Sequence, residues 1–334
     1  MGAIVIVDAF WGDAGKGKFC AYFATKYNAK YAVRAGTGTN SGHSIYVNGN
    51  RIACRMLPLG WMNQETVVFI GSGVAINPTV FLEEVRNNHL EGRAFVDLRC
   101  PVIENWHIDY EKVHDQMIAI DSTDSGTGKA RADFVMRQGR QAKDVPELQN
   151  YLIDGISEIN NAAIKDCVVI EGSQGTHLSL YASNRYPYVT SDNCTTAAFL
   201  DDVSLNWQLI DKVVLLVKCL PTCAGPGHLP FEMSKDEIIK HGLEEYGVNT
   251  GRFKRRSSSI DFNYLDYSIR INGPTEIALT YCDQYDVNMT GCKSRNTITN
   301  KLYQLIDEIE GQFNIPITYL ETGKDHNDIL DLSM

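Results

Sequence analysis

The stretch Gly12-Asp13-Ala14-Gly15-Lys16-Gly17-Lys18 sets two lysines and one carboxylate among three glycines. Glycines let such a loop turn several backbone N–H groups onto one spot. A helix starting there adds roughly half a positive charge, so the natural guest is a phosphate. The spacing Gly12-x-x-x-x-Gly17-Lys18 fits most of the P-loop pattern, except that Phe19 stands where Ser or Thr would help to hold magnesium. Asp13 is the one hard oxygen ligand inside the loop, which makes it the candidate for the metal.

Other polar loops follow apolar runs. Residues 35–44 interleave three glycines with Thr, Asn and Ser and carry Asn40 and His43. A lone histidine is more often structural than catalytic, but on a glycine loop facing the first one the two readings weigh equally. Residues 121–129 are rich in hydroxyls and precede Arg131, Arg137 and Arg140. That suits a phosphomonoester, although the segment standing alone reads better as a solvated loop with a helix cap. Glu171-Gly172-Ser173-Gln174-Gly175-Thr176 is another polar glycine loop, continued by residues 186–191. Residues 249–256 hold four cations within five positions, a pattern for a solvated run, a nucleic-acid contact or a flexible clamp on a small carboxylate or phosphate.

These loops need elements to position them. Apolar, β-branched runs predict strands at 5–8, 30–34, 67–71, 94–98, 167–170, 211–219, 277–283 and 317–320, several too apolar to leave a face exposed. Helices are expected after Lys18, from Pro78 to about Asn88, over 105–119 on the surface, over 145–163, from Ser234 with a capping box to Glu237, and over 299–310. The alternation predicts an α/β fold: a single domain over 1–334, built on a mostly parallel central sheet with helices on both faces and a variant P-loop.

With 334 residues, 44% hydrophobic, the chain can bury a large core, and its net charge of -10 disfavours nucleic acid as a partner. Nine cysteines without paired knuckles read as buried, reduced thiols rather than disulfides or zinc ligands. The sequence opens on a strand and has no membrane-length apolar run, so a cytoplasmic location is expected, in a host cell if the source is viral, with no membrane partner.

Taken together, these motifs resemble the adenylosuccinate synthetase family over essentially the whole chain, at the compact length of its archaeal and phage members. The family's WGDEGKGK resembles residues 11–18, its NAGHT resembles Asn40-Ser41-Gly42-His43-Ser44, its EGxQGT resembles residues 171–176, its YPYVTS resembles 186–191 and its TGRxR resembles the stretch from Thr250. The resemblance implies a C–N ligase in which a nucleoside triphosphate phosphorylates the 6-oxygen of a purine monophosphate and L-aspartate then displaces that phosphate. It implies Asp13 as the base at N1 and, with the Gly42 carbonyl, as a ligand of Mg2+. His43 and Gln174 would stabilise the oxygen and the phosphoryl group, and Lys16 the phosphates.

By the same resemblance the triphosphate site comprises Gly12, Asp13, Ala14, Gly15, Lys16, Gly17, Gly42, His43, Ser44, Asp283 and Gly323. The purine monophosphate would be held by Asp13, Asn40, Ser122, Thr123, Gln174 and Thr190, with Arg137 reaching the site of a neighbouring subunit in a homodimer. Aspartate would be held by Thr250, Gly251, Arg252 and Arg255.

Departures from the family pattern bear on the substrate. Residues 121–129 replace the family's GTTGxGxGP with a loop carrying two added carboxylates, Asp121 and Asp124, and no proline. A carboxylate can accept a hydrogen bond from a guanine 2-amino group and offers little to hypoxanthine. The family's TRVGAGP, near the ribose, has become residues 221–226. Both point to the phage branch that ligates aspartate to dGMP on the way to 2-aminoadenine DNA, with IMP as the alternative substrate. Asp283 matches a guanine-reading carboxylate, but Tyr281 replaces the lysine of that pair, which favours ATP or dATP as phosphoryl donor over GTP. A regulatory nucleotide-binding switch is the reading from another class; it would use the phosphate loop and Asp283 but neither Gln174 nor the basic loop.

Overall fold

The computed structural model describes residues 2–247 and 250–333, so Asn249 of the basic loop lies outside the described residues. The strands are β1 (Ala3–Asp8), β2 (Tyr31–Arg34), β3 (His43–Val47), β4 (Asn50–Cys54), β5 (Val67–Ile70), β6 (Ala94–Asp97), β7 (Leu152–Ile153), β8 (Val168–Glu171), β9 (Ile210–Lys218), β10 (Thr222–Cys223), β11 (Arg255–Arg256), β12 (Glu276–Thr280), β13 (Ile317–Glu321) and β14 (Ile329–Asp331). The helices used below are α1 (Lys16–Lys26), α2 (Pro78–Asn87), α3 (Asn105–Val113), α4 (Asp115–Ala119), α5 (Thr127–Val135), α6 (Gly155–Lys165), α7 (Thr196–Asp202), α8 (Lys235–Lys240), α9 (Phe262–Asn272), α10 (Cys282–Tyr285) and α11 (Asn300–Phe313).

Among the described residues one sheet runs in the order β14-β13-β12-β9-β1-β8-β2-β5-β6-β7. Its neighbours are parallel except for β13 and β14. Alternate residues of β1 go to opposite faces. Val5 and Val7 pack with Ile159, Phe199, Leu265 and Leu305 from α6, α7, α9 and α11. Ile4 and Ile6 pack with Phe19, Phe23, Phe81 and Val85 from α1 and α2. Helices therefore cover both faces, and β1 is buried throughout. Each fully buried side chain of this size contributes about 1.5–3 kcal/mol.

The chain leaves β1 toward β2 through α1 and leaves β9 toward β12 through α9, on opposite faces and in opposite directions. A crevice must open where such neighbours diverge, at the carboxyl ends of β1 and β9. No helix among the described residues is long and apolar enough to cross a membrane, and all nine cysteines are free and buried.

Several expected elements come out differently. The helix expected over 145–163 is a 3-10 turn (Pro146–Tyr151), then β7, then α6. Leu152 and Ile153 are taken into the sheet edge by Val96 and Asp97, and the Asp97 carboxylate accepts Gly155 N–H at 3.0 Å where α6 begins. The helix expected over 105–119 breaks at His114, whose extended backbone separates α3 from α4, and it is not merely superficial, since His107 and Glu111 are buried. The strand expected to run to Asp283 stops at Thr280. Tyr281 turns left-handed and donates its N–H to Glu321 Oε2 at 3.1 Å, so Asp283 sits on α10. The antiparallel edge strand β14 was not anticipated. The basic segment is no flexible loop at its far end, because β11 pairs with β10 and both Lys254 and Arg256 are buried.

His177 braces the start of the phosphate loop. Its N–H donates to the Phe10 carbonyl at 2.9 Å, and its ring lies 5.8 Å from Trp11 and 4.7 Å from Tyr264. Burial pushes its pKa down to about 4, with the Tyr264 carbonyl opposing. The folded state therefore binds fewer protons than the unfolded state between about pH 4 and 6.5. Stability should rise with pH through that window and be lost as pH falls toward 4, by roughly 2–3 kcal/mol for this group. Urea unfolding of the wild type and His177→Asn from pH 4 to 7 checks this. The variant should show the shallower dependence, and equal slopes would contradict it.

Candidate functional site

The phosphate loop is shaped from below by Asp8, the last residue of β1, which is 1% exposed. Its Oδ1 accepts Phe10 N–H at 2.9 Å, and its Oδ2 accepts Ala14 N–H at 3.0 Å and Lys16 Nζ at 3.2 Å. Lys16 Nζ also donates to the Gln174 carbonyl, which ties the loop to the turn after β8. Gly15 caps α1 with φ 85°, a conformation that disfavours any side chain. At Gly17 a Cβ would fall 2.6 Å from Leu59 and 3.0 Å from the His43 Cβ, so only glycine lets the two polar loops approach.

His43 opens β3 and is 8% exposed. Arg34 NH1, at the end of β2, lies 2.6 Å from its Nδ1 and 2.7 Å from Glu171 Oε1, while that same carboxylate oxygen rests against Nδ1. Glu171, fully buried at the end of β8, accepts Leu59 N–H on Oε2 at 2.8 Å. Burial alone would raise the Glu171 pKa, but His43, Arg34 and Leu59 hold it down at about 2. Burial and Arg34 push His43 down to about 4, so the imidazole is neutral at neutral pH.

Asp13, left-handed at φ 64°, is 28% exposed at its side chain, and its Oδ2 pairs with Lys254 Nζ at 2.8 Å. Lys254 in turn pairs with Glu245 Oε1 at 2.8 Å. Burial would raise the Glu245 pKa, but Lys218 and Lys254 hold it well below the usual carboxylate range. Magnesium is typically bound through one or two carboxylates, with substrate phosphates and water completing the shell. Asp13 fits that role, since among the described residues its other oxygen has no hydrogen-bond partner. No cluster of three or more His, Cys, Asp or Glu among the described residues could hold a metal by itself.

One cleft of about 990 Å³ joins these parts. It is lined by Gly12, Asp13, Gly15, Lys16, Gly17, Asn40, Gly42, His43, Ser44, Ser122, Thr123, Gln174, Thr190, Thr250, Arg252, Asp283 and Gly323 of the expected site. Asn40 donates to Thr190 Oγ1 at 3.0 Å, bridging two of the loops. Arg252 NH1 pairs with Asp121 Oδ1 at 3.0 Å and NH2 reaches the Ser122 carbonyl at 3.2 Å, so the basic segment lies on the hydroxyl-rich loop. Burial raises the pKa of Asp283.

Ala14, Gly251, Arg137 and Arg255 do not line the cleft. Arg137 is exposed and donates to the Val135 carbonyl at 3.2 Å. Arg255 chelates Glu232 and the Gly227 carbonyl, and Lys254 lines the cleft instead. Sequence reasoning missed the roles of Asp8, Arg34, Glu171, Lys218, Lys254, Glu245 and Glu321. A signal was present: β1, β2, β8, β9 and β13 are apolar runs that each end on a charged residue, and each of those residues is buried.

The chain matches the Adenylosuccinate synthetase family over residues 5–150 and 145–288. It is 40% identical to the adenylosuccinate synthetase of Archaeoglobus fulgidus over 334 residues, 99% of this chain and 98% of that one. It is also 40% identical to that of Thermococcus onnurineus over 339 residues, with 99% and 98% covered. Among solved structures, the fully ligated adenylosuccinate synthetase of Plasmodium falciparum superposes with a TM-score of 0.92 at 20% identity, covering 99% of this chain and 100% of that one. The succinoaminodeoxyadenylate synthetase PurZ of cyanophage S-2L, bound to dGMP and dATP, superposes with a TM-score of 0.83 at 24% identity, covering 99% and 95%.

The carboxylate of Glu171 is the one that neutralises Arg34, itself 1% exposed. Glu171→Gln should cost about 3–5 kcal/mol in urea unfolding, because it strands a buried guanidinium. A loss below about 1 kcal/mol would show that the pair does not hold the two loops together.

Proposed function

The chain belongs to the adenylosuccinate synthetase family of C–N ligases, and from that premise we propose that it joins L-aspartate to C6 of a purine nucleoside monophosphate, dGMP by preference, through a 6-phosphoryl intermediate. The observation that carries this reading is the single cleft in which Asp13 and the phosphate loop face His43 on one side and Arg252 with Lys254 on another. A nucleotide-binding switch has no use for that last pair.

In this reading Asp13 takes the proton from purine N1, which makes O6 a competent nucleophile. The His43 ring, held at Nδ1 by Arg34 and Glu171, stabilises O6 and the incoming phosphoryl group, helped by Gln174. Lys16 and the amides of residues 12, 13 and 15–17 hold the donor's phosphates, the Ala14 amide being committed to Asp8. A magnesium ion held by Asp13 and the Gly42 carbonyl would neutralise phosphate charge. Asn40, Ser122, Thr123 and Thr190 hold the monophosphate, and the exposed Arg137 serves the neighbouring subunit of a homodimer. Thr250 and Arg252 receive the aspartate carboxylates, and Gly251, outside the cleft lining, is dropped from that role. Lys254 takes the share expected of Arg255, whose guanidinium is committed to Glu232.

The dGMP preference is supported by Asp121, which lines the cleft and gives only one oxygen to Arg252, leaving a carboxylate oxygen for a 2-amino group. Asp124 does not line the cleft and is dropped from that role. The cyanophage protein of the same fold, bound to dGMP and dATP, supports the same reading and an ATP or dATP donor. The second reading, IMP with GTP, is favoured by the archaeal relatives at 40% identity.

Aspartate-dependent phosphate release, measured with IMP, GMP and dGMP against ATP, dATP and GTP, decides between them. The expected result is a kcat/KM for dGMP at least tenfold above that for IMP; a tenfold preference for IMP would overturn the substrate and leave the ligase. Asp13→Asn should lower kcat by about 10²–10⁴ with either substrate. Near-normal turnover in that variant would remove Asp13 as the base.

A further inference from the structure

Behind Asp13 lies a charge cluster of which the reaction as described uses only Lys254. Glu245 is its hub. Oε1 accepts from Lys254 Nζ at 2.8 Å, and Oε2 accepts from Lys218 Nζ at 2.7 Å and Arg256 NH2 at 3.0 Å. The side chains of Lys218, Lys254 and Arg256 are 1%, 3% and 0% exposed. Lys218, the last residue of β9, also donates to Thr222 Oγ1 at 2.8 Å and lies 4.1 Å from the Tyr281 ring centre. Arg256 gives NH1 to Gln284 Oε1 at 2.7 Å, and its buried Nε has no partner among the described residues. Lys254 bridges the hub to Asp13 at the cleft.

Among the described residues the carboxylates paired with Lys218, Lys254 and Arg256 are those of Glu245 and Asp13, which leaves one excess positive charge on buried side chains. As a device for stability this is a poor choice, since buried ion pairs roughly break even against apolar packing. As a fixed charge behind the cleft it has a clear use, because Lys254 is the member that an anionic substrate would meet.

We propose, building on the ligase reading, that Glu245 and Lys218 are positioning residues that set the net charge behind Lys254 and thereby how tightly L-aspartate is held beside Asp13. Glu245 draws Lys254 partly away from Asp13 and keeps that carboxylate usable. Lys218 offsets Glu245, so the hub does not absorb the whole of the Lys254 charge. The two residues must then act with opposite signs. Loss of the Glu245 charge raises the local net charge and gives Lys254 to Asp13, so aspartate binds more tightly while turnover falls. Loss of the Lys218 charge removes the excess, and aspartate binds more weakly.

The test is titration calorimetry with L-aspartate on the full chain preloaded with dGMP or IMP, together with steady-state kinetics. For Glu245→Gln the Kd and KM of aspartate should fall at least threefold while kcat falls at least tenfold. For Lys218→Met the Kd should rise at least threefold, and Lys218→Arg should return it toward the wild-type value. Weaker aspartate binding in both Glu245→Gln and Lys218→Met, or no recovery in Lys218→Arg, would mean a merely structural cluster and overturn the proposal. The opposite-sign pattern without aspartate-dependent phosphate release in the wild type would instead overturn the ligase reading and leave the charge role standing.

Discussion

The carboxylate of Asp8 holds the phosphate loop in shape, and the rest of the site depends on it. Sealed under the loop, it takes two backbone N–H groups and the Lys16 ammonium at once. Those three bonds bend the chain after β1 so that Asp13 stands out from the turn and α1 starts at Lys16. An unpaired buried carboxylate would be costly, so the loop cannot relax without exposing Asp8 or stranding it. The same logic governs Arg34 and Glu171 at the ends of β2 and β8, which neutralise one another and fix the His43 ring between them. Rigid placement of Asp13 and His43 in one cleft therefore follows from charges that the sheet has buried at its carboxyl edge.

The electrostatics of the chain run in two directions. Its net charge is -10, yet the cleft is bordered by Lys16, Lys18, Arg252 and Lys254. Much of that positive charge is bound by internal carboxylates: Lys16 by Asp8, Lys18 by Glu321 and Lys254 by Asp13 and Glu245. An anionic substrate arriving there competes with groups already in place, which favours small ligands that can present several oxygens at fixed spacing. A flexible polyanion gains little in such an arrangement.

Much of this was legible in the residues. Buried parallel strands announce themselves as apolar runs, and glycine loops at their ends mark the cleft. The cap of α8 at Ser234 was a local signal, and it stands in the structure as read. What was not legible is tertiary. The periodicity of residues 145–163 is that of a helix, but the sheet edge needs β7 as a partner for β6, and pairing outranks propensity there. Nothing local says that Arg255 will turn toward Glu232 while Lys254, one residue earlier, faces Asp13; the alternation of β11 decides it. The hub at Glu245 is invisible for the same reason, since Lys218 and Arg256 reach it from separate strands.

The central claim is that the purine 6-oxygen itself is phosphorylated before aspartate attacks, because only that step needs Asp13 and His43 over one ring edge. The direct measurement is the fate of an ¹⁸O label at the 6-position of the purine monophosphate, dGMP or IMP, during a turnover with L-aspartate and a nucleoside triphosphate. The account predicts that the label leaves in inorganic phosphate, one atom per product formed. Recovery of the label in water, with unlabelled phosphate, would contradict it.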